Sequence, residues 1–434
     1  MKKKNLMRLG LIALSCFTTV GCSGGTDGTG EVKFFELTET NIGEKTTVDN
    51  GKLNAFTEEN PLKIGLVTDS GTLNDHSFNE SAWNGVNEFA TEAGGGTINT
   101  NTYSVETGKV QTKYVQPAQD AYDTQGRLAA MKTAAEWGAK VIVLPGYLFQ
   151  SSIKLAINDA AFKDVSFLAL DCVNQDSDNN YEEFTFTDKV TSIIYREEQA
   201  GFLAGYAAVK EGYRSLGFCG GMAVPAVIRY GSGYCQGADA AAKELKLDDS
   251  SIKINYYYAG AFAPTDAATS NCSAWYSSGT DVIFGCGGAV YQSVTAASQS
   301  NGNKPWIGVD VNQHADTSLG ASQASCITSA MKNLKNTTKV LLAGWVNNDK
   351  AWNSTLAGKV VTVGAQSDNC VLPTPDTTGD SGCWGFKKFT LSEYNTLLAN
   401  LKNGTVKVNS NSDNDELSVN NFGCSAKVKV NYIA

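Results

Sequence analysis

LKIGLVTDS (62–70), AKVIVLPG (139–146), VSFLALD (165–171), SLGFCGGM (215–222), IKINYYYAG (252–260), DVIFGCGG (281–288) and PWIGVDVN (305–312) are short apolar runs, and nearly every one ends in a polar or glycine cluster. Between them, residues 81–92, 127–137, 196–210, 233–245, 289–300 and 328–347 place apolar side chains at helical spacing. Near-continuous apolar strands alternating with amphipathic helices describe a parallel sheet covered on both faces, since only such strands bury both sides. Seven units of this kind exceed one ordinary sheet. The expectation is an α/β chain with two doubly wound parallel-sheet lobes.

The strand ends carry the functional signal. They read Thr68-Asp69-Ser70, Pro145-Gly146, Asp171, Gly220-Gly221, Gly287-Gly288 and Asp310. In open α/β sheets ligands bind beyond the carboxyl ends of strands, where helix N-termini offer free N–H groups. Any single one of these residues reads equally well as a turn or a helix cap. Their accumulation at one end of so many strands points to a cleft between facing lobes.

Composition narrows the function classes. The 434 residues are 42% hydrophobic and 18% charged, with Lys+Arg 35 against Asp+Glu 44 and a net charge of −9. No basic run follows the first eight positions, so nucleic acid is not an expected partner. Only two histidines, His76 and His314, are present, without HExxH or Cys/His zinc spacing, and no metal site is expected. GxxxxGK[ST], GxSxG and a strand-borne GxGxxG are also missing. No cofactor and no enzymatic activity are expected.

The start, MKKKNLMRLGLIALSCFTTVGCSGG (1–25), combines a basic segment with an apolar run too short to span a bilayer, then Gly21-Cys22. It reads as an export signal over 1–21. It also resembles a bacterial lipoprotein processing site, which implies acylation of Cys22, with Cys16 a weaker candidate and Thr19 a departure from the usual Leu. The implied location is the extracytoplasmic face of a bacterial membrane. Residues 22–60, rich in Gly, Thr, Glu and Asn, are expected to form a flexible tether. Nine cysteines lie between Cys172 and Cys424 without a CxxC pair, which suits buried thiols with one or two disulfides allowed. Cys370 and Cys383, bracketing a Pro/Gly/Asp-rich loop, are one such pair.

KIGLVTDSGTLNDHSFNESAWNGV (63–86) resembles the opening of the basic membrane protein family of lipoproteins, through Asp69, Gly71, Asn74, Asp75, Ser77, Phe78, Asn79 and Trp83. REEQAGFLAGYAA (196–208), GFCGGMAVPAV (217–227), DVIFGCGGA (281–289), IGVDVNQ (307–313) and ITSAMKN (327–333) follow in family order. The stretch at 96–123, the segment around Cys370–Cys383 and the tail after Val408 read as insertions or extensions. The resemblance implies a type I periplasmic-binding-protein fold, with two lobes joined by a three-crossover hinge. The first lobe would be 62–172, completed by about 310–345 and part of the tail. The second would be 190–305, and 346–434 a return segment and C-terminal extension.

The same resemblance implies a monomeric substrate-binding protein that captures a nucleoside, expected to be a purine nucleoside, for an ABC permease. Phe78 falls where the family stacks one face of the base and Tyr230 where it stacks the other, each stack being worth about 1–3 kcal/mol. Asp310 is the candidate for the ribose diol, with Lys332 balancing it. Asp69, Asn79 and Asp171 would meet the base edge or the 5′ end, and Gly287 and Gly288 would let the backbone approach. Asn74 and Tyr147 are weaker candidates, and Asp75 reads equally as a helix cap. A sugar, autoinducer or flavin on the same scaffold, a nucleoside hydrolase, and a surface adhesive are the competing readings.

Overall fold

The computed structural model of the chain describes residues 48–70, 72–118, 122–410 and 421–433. The expected signal peptide, Cys16, Cys22 and most of the expected tether lie outside those residues. In chain order the main strands are β1 (Leu62–Val67), β2 (Val110–Val115), β3 (Val141–Pro145), β4 (Ser166–Leu170), β5 (Val190–Tyr195), β6 (Ser215–Gly220), β7 (Ile252–Tyr258), β8 (Val282–Cys286), β9 (Trp306–Asp310), β10 (Cys326–Lys332), β11 (Lys359–Val363), β12 (Cys370–Val371) and β13 (Val428–Ile433). The main helices are α1 (Phe78–Gly94), α2 (Thr124–Glu136), α3 (Gln150–Ala156), α4 (Glu197–Glu211), α5 (Pro225–Glu244), α6 (Asp266–Ser277), α7 (Tyr291–Ser300), α8 (Leu334–Asn347) and α9 (Leu391–Lys402).

The apolar runs become the buried centres of two sheets. The first has the order β11-β5-β4-β3-β1-β2 and is parallel throughout. The second has the order β12-β10-β9-β8-β6-β7-β13, parallel except for the short β12. In each sheet the order reverses beside the first strand, between β1 and β3 and between β6 and β8. Such a reversal leaves a crevice beyond the carboxyl ends, where adjacent crossovers go to opposite faces.

The chain crosses between sheets three times, after Tyr195, after Lys332 and after Val363. The lobe boundaries therefore differ from those expected. Residues 190–195 belong to the first sheet, and 306–332 remain in the second instead of completing the first. The return to the first lobe is α8, which packs on α1, followed by β11. Residues 328–332, expected to open a helix, are strand, because each pairs with β9 or continues that ladder before Asn333 breaks it.

Other expectations also change. The stretch at 96–123 is no simple insertion, since Val110–Val115 pairs with β1 as the edge strand of the first sheet. The tail is integral too, with Ile252 in register with Val428 on the edge of the second sheet. The end of the expected tether is docked: Val48 and Leu53 are buried, and Lys52 pairs with Asp349 at 2.7 Å. Cys370 and Cys383 are unbonded, as are the other described cysteines. Cys370 is buried in β12, while the Cys383 thiol accepts a hydrogen bond from Thr378 Oγ1 at 3.5 Å.

Two helices govern the site's placement. α4 and α5 touch backbone to backbone through glycines. A Cβ on Gly205 would sit 2.0 Å from the Tyr234 carbonyl oxygen, and one on Gly233 2.0 Å from that of Glu198. This crossing brings the start of α4 against the first turns of α5. Gly233→Ala is expected to cost more than the roughly 1–3 kcal/mol usual for overpacking, because backbone rather than a side chain must yield. Urea unfolding of the variant checks this.

Candidate functional site

Strand ends and helix starts from both lobes meet in one buried cluster. Asp171 closes β4 with φ 59°, and Asp310 closes β9 with φ 62°, each turning the chain sharply where its strand stops. Lys332, the last residue of β10, reaches across to the first lobe and lies 2.5 Å from Asp171 Oδ2. Its Nζ is also 3.0 Å from Glu197 Oε1 and 3.9 Å from Asp310 Oδ1. Three rings surround the same ammonium, with centroids at 4.7 Å for Phe78, 5.3 Å for Tyr195 and 5.5 Å for Tyr230. Arg229 Nε donates to the second oxygen of Glu197 at 2.6 Å.

Two further contacts join the lobes. Ser77 Oγ donates to Asp310 Oδ2 at 2.6 Å, and Gln313 Nε2 donates to the His76 carbonyl at 3.2 Å. The cleft residues are closed onto one another, with Asp171, Asp310 and Lys332 all buried. Two cations, Lys332 and Arg229, face three carboxylates, those of Asp171, Glu197 and Asp310. Burial works against the Lys332 ammonium, but the three carboxylates overcome it and hold Lys332 above its ordinary range. Burial raises Asp310, against Lys332, Ser77 and Tyr230. Burial pushes Asp171 up to about 7, opposed by Lys332 and aided by the Glu197 charge.

A carboxyl raised in the folded state binds its proton more tightly there than in the unfolded chain. The stabilisation is complete below the unfolded value and is lost as pH rises through about 7. Asp75, pushed up to about 7 by burial against four hydrogen bonds, acts in the same direction. The urea midpoint is expected to fall between about pH 5 and 8, and Asp171→Asn to flatten that slope.

The residues expected from sequence are distributed around this cluster. Asp69 is buried at the end of β1, beside Gly146, where φ is 133° and a Cβ would lie 2.6 Å from Asp69 Oδ2. Asn79 donates to Asp75 Oδ2 at 3.0 Å and towards Asp69 Oδ1 at 3.4 Å. Asp75 accepts from the backbone N–H groups of Ser77, Asn79 and Glu80, so its hydrogen bonding goes into starting α1. Asn74 is exposed on the preceding loop and is not brought into the cluster. Tyr147 is half-buried after β3, and burial first, then contact with Tyr181, raises its hydroxyl.

Phe78 is half-buried at the start of α1, whereas Tyr230 is 2% exposed. Tyr230 stands edge-on to Phe284 with centroids 6.0 Å apart, and its hydroxyl donates to Asp310 Oδ1 at 3.3 Å. In this arrangement it acts as a support for Asp310. A second half-buried aromatic stands over the glycine ends of the second sheet. A Cβ on Gly287 would lie 3.4 Å from the Phe262 ring, one on Gly221 2.8 Å from it, and one on Gly288 2.8 Å from the Phe262 carbonyl.

Sequence reasoning missed Phe262, Glu197, Arg229, Ser77 and Gln150. A paired Glu at 197–198 heading an otherwise apolar helix was the available signal for the first glutamate. Gln150, fully buried at the first turn of α3, has neither amide atom partnered. Thr68 Oγ1, Asn79 Oδ1 and Asp171 Oδ1 are also buried without a partner. Buried polar atoms are normally satisfied, so this group at the ends of β1, β3 and β4 is hydrogen-bonding capacity left for something else. The arrangement offers donors, acceptors and aromatic faces around a charge-balanced core, which suits holding a polar, flat molecule.

Among the described residues no helix is long and apolar enough to cross a membrane. Residues 63–377 match the Bmp family, described as ABC transporter substrate-binding protein PnrA-like. The "ABC transporter nucleoside-binding protein BmpA" of Lactococcus lactis subsp. cremoris is 29% identical over 260 residues, covering 58% of this chain and 64% of that protein, so the match spans less than two thirds of it. "Basic membrane protein A1" of Borrelia garinii subsp. bavariensis is 26% identical over 307 residues, 70% of this chain and 77% of that one. Solved ABC transporter solute-binding proteins share the fold. One from Aeropyrum pernix K1 gives a TM-score of 0.62 at 18% identity, covering 84% of this chain and 100% of its own. One from Conexibacter woesei gives 0.56 at 17% identity, covering 80% and 99%. With a type I periplasmic-binding-protein fold and a family match over most of its length, the chain belongs to the Bmp family of PnrA-like ABC transporter substrate-binding proteins.

Proposed function

We propose that this protein is a lipid-anchored receptor, monomeric and extracytoplasmic, that encloses a nucleoside between its lobes and delivers it to an ABC permease. A purine nucleoside is the preferred ligand. The observation that carries the reading is the Lys332 cluster, which draws Asp171 from one lobe and Glu197 and Asp310 from the other onto one buried ammonium. A ribose diol can replace part of that network. Its hydroxyls donate to Asp310 and accept from Lys332, so neither charge is left bare when the lobes take up ligand. The relative named as nucleoside-binding supports this ligand class.

The base is placed against Phe78 from the first lobe and Phe262 from the second, with Tyr230 bracing Asp310 beneath. Asn79, Gln150 and Thr68 supply the unspent polar atoms for the base edge or the 5′ hydroxyl, beside Asp69. Gly287 and Gly288 keep the backbone near Phe262 open to the ligand. The ligand is bound and released unaltered, and its affinity sets the population of the closed state.

Calorimetric titration of the refolded, ligand-stripped protein against inosine, guanosine, adenosine, cytidine, ribose and riboflavin tests this. Micromolar or tighter binding of the purine nucleosides alone is the expected result. Binding of ribose or riboflavin with silence towards every nucleoside overturns it. Phe78→Ala and Phe262→Ala are each expected to weaken the purine nucleoside about 5- to 150-fold, the equivalent of one lost base stack.

A further inference from the structure

Behind the second sheet, on the face away from α4 and α5, α6 covers β6. Cys219 lies on β6 and Cys272 on α6, both fully buried in the same apolar layer with Trp275, Tyr276 and Ile283. Their registration follows from a nearby contact. A Cβ on Gly217 would lie 3.2 Å from the Trp275 ring, so Trp275 sits over Gly217. From Gly217, two residues along the strand advance ~6.6 Å to Cys219 on the same face. A crossover helix runs back against its strand, so one turn back from Trp275, ~4.5 Å in the same direction, arrives at Cys272. Their closeness is reflected in Cys272, which its interaction with Cys219 first, and burial second, hold well above its ordinary range.

We infer that Cys219 and Cys272 are joined as a disulfide when this chain folds in an oxidising extracytoplasmic compartment. The two thiols lose two protons and two electrons to a small-molecule disulfide, such as oxidised glutathione, which leaves as two thiols through a mixed-disulfide intermediate. Both sulfurs are buried once α6 has docked, so exchange takes place during folding, while the strand and helix are still open to solvent. The bond would close a long loop containing α5 and β7, which restricts the unfolded chain most. It would also pin α6 to the strand ending in Gly220-Gly221, next to Phe262 and Gly287. The second lobe's share of the site would then rest on a covalently fixed strand.

Two of the other described cysteines spend their thiols on backbone carbonyls. Cys172 donates to the Gly146 carbonyl at 3.0 Å, and Cys326 to that of Thr328 at 3.4 Å.

The test is peptide mapping of the full chain exported by a bacterial host, alkylated under denaturing conditions before any reduction. The expected result is a single cross-linked peptide pair containing Cys219 and Cys272, with the remaining described thiols alkylated. Reductant is expected to lower the Tm of this protein by several degrees and leave the Tm of Cys219→Ala/Cys272→Ala unchanged. Alkylation of both residues before reduction, or a bond from either to a different cysteine, overturns the inference. Mapping of the wild-type chain does not depend on the variant folding. Neither readout involves ligand, so the result stands apart from the nucleoside titration.

Discussion

Lys332→Met is expected to destabilise the protein by about 3–5 kcal/mol, the range for removing one partner of a buried ion pair. Methionine matches the length and apolar stem of lysine, so the loss reports the charge rather than a cavity. Three buried carboxylates would then share Arg229 alone, and Arg229 is already committed to Glu197. Because folded proteins are stable by only about 5–15 kcal/mol, this is a large part of the total. The defect is expected to be larger at about pH 8 than at about pH 5, since Asp171, already raised to about 7, can take up a proton and shed its unpaired charge. Asp171→Asn in the same background is expected to restore part of the loss, since the two groups interact directly and their effects cannot add. Urea unfolding at both pH values checks all three statements. Equal stability of Lys332→Met and wild type at both would mean that the ammonium does not balance the cluster.

How much of this was legible in the sequence depends on whether the signal is local. β1, β3 and β4 are runs of apolar residues, and their conversion into adjacent buried strands follows from composition alone. β5 carries no such signal, because Thr191 and Ser192 break its apolar run, although both are buried. In β10, Thr328 and Ser329 are likewise buried, and a pattern of mixed polarity running straight into α8 reads as one helix. β2 alternates buried with exposed residues at a sheet edge inside a Thr/Gln/Tyr-rich stretch, so its period was diluted. Polar residues inside a parallel sheet are thus the common cause of error. Ser192 donates to the Cys172 carbonyl and Ser329 accepts from the Gln313 N–H, whereas Thr191 and Thr328 bury unpartnered hydroxyls, and no hydropathy pattern displays either arrangement.

The site divides along the same line. Asp69, Asp171, Asp310 and the glycine pairs follow from the rule that ligands meet strand ends, which is a local reading. Lys332 needed the family motif, because nothing near it in sequence marks it as more than a solvated lysine. Glu197 and Arg229 needed three dimensions, since the glycine-mediated crossing of α4 and α5 is what brings a helix start against another helix's first turn. The family pattern alone implies stacking for Tyr230. Its ring lies edge-on to Phe284 with Lys332 Nζ 5.5 Å from its centroid, and Phe262, in an Ala/Gly/Pro-rich loop, stands over the glycines.

Asp310→Asn separates binding from folding, and it is the substitution with the largest expected effect on affinity. The amide keeps the size of the carboxyl; its one oxygen accepts from one of the two hydroxyls, Ser77 at 2.6 Å or Tyr230 at 3.3 Å, while its NH2 donates to the other, which can turn to accept. What disappears is one negative charge from a cluster that carries three carboxylates against two cations. Stability is therefore expected to be unchanged or slightly raised, because the removed charge was itself held up by burial. Affinity for a purine nucleoside is expected to move the other way. Two ribose hydroxyls bonded to a carboxylate are worth about 1.5–3 kcal/mol each, and a neutral acceptor yields about half of that. The variant should bind about 10- to 150-fold more weakly at an undiminished Tm. Matching affinities of wild type and variant would remove Asp310 from the ligand, leaving it a lobe-to-lobe tie through Ser77. A parallel fall in Tm and affinity would mean that the carboxylate serves the fold first, and that the diol is recognised elsewhere in the cleft.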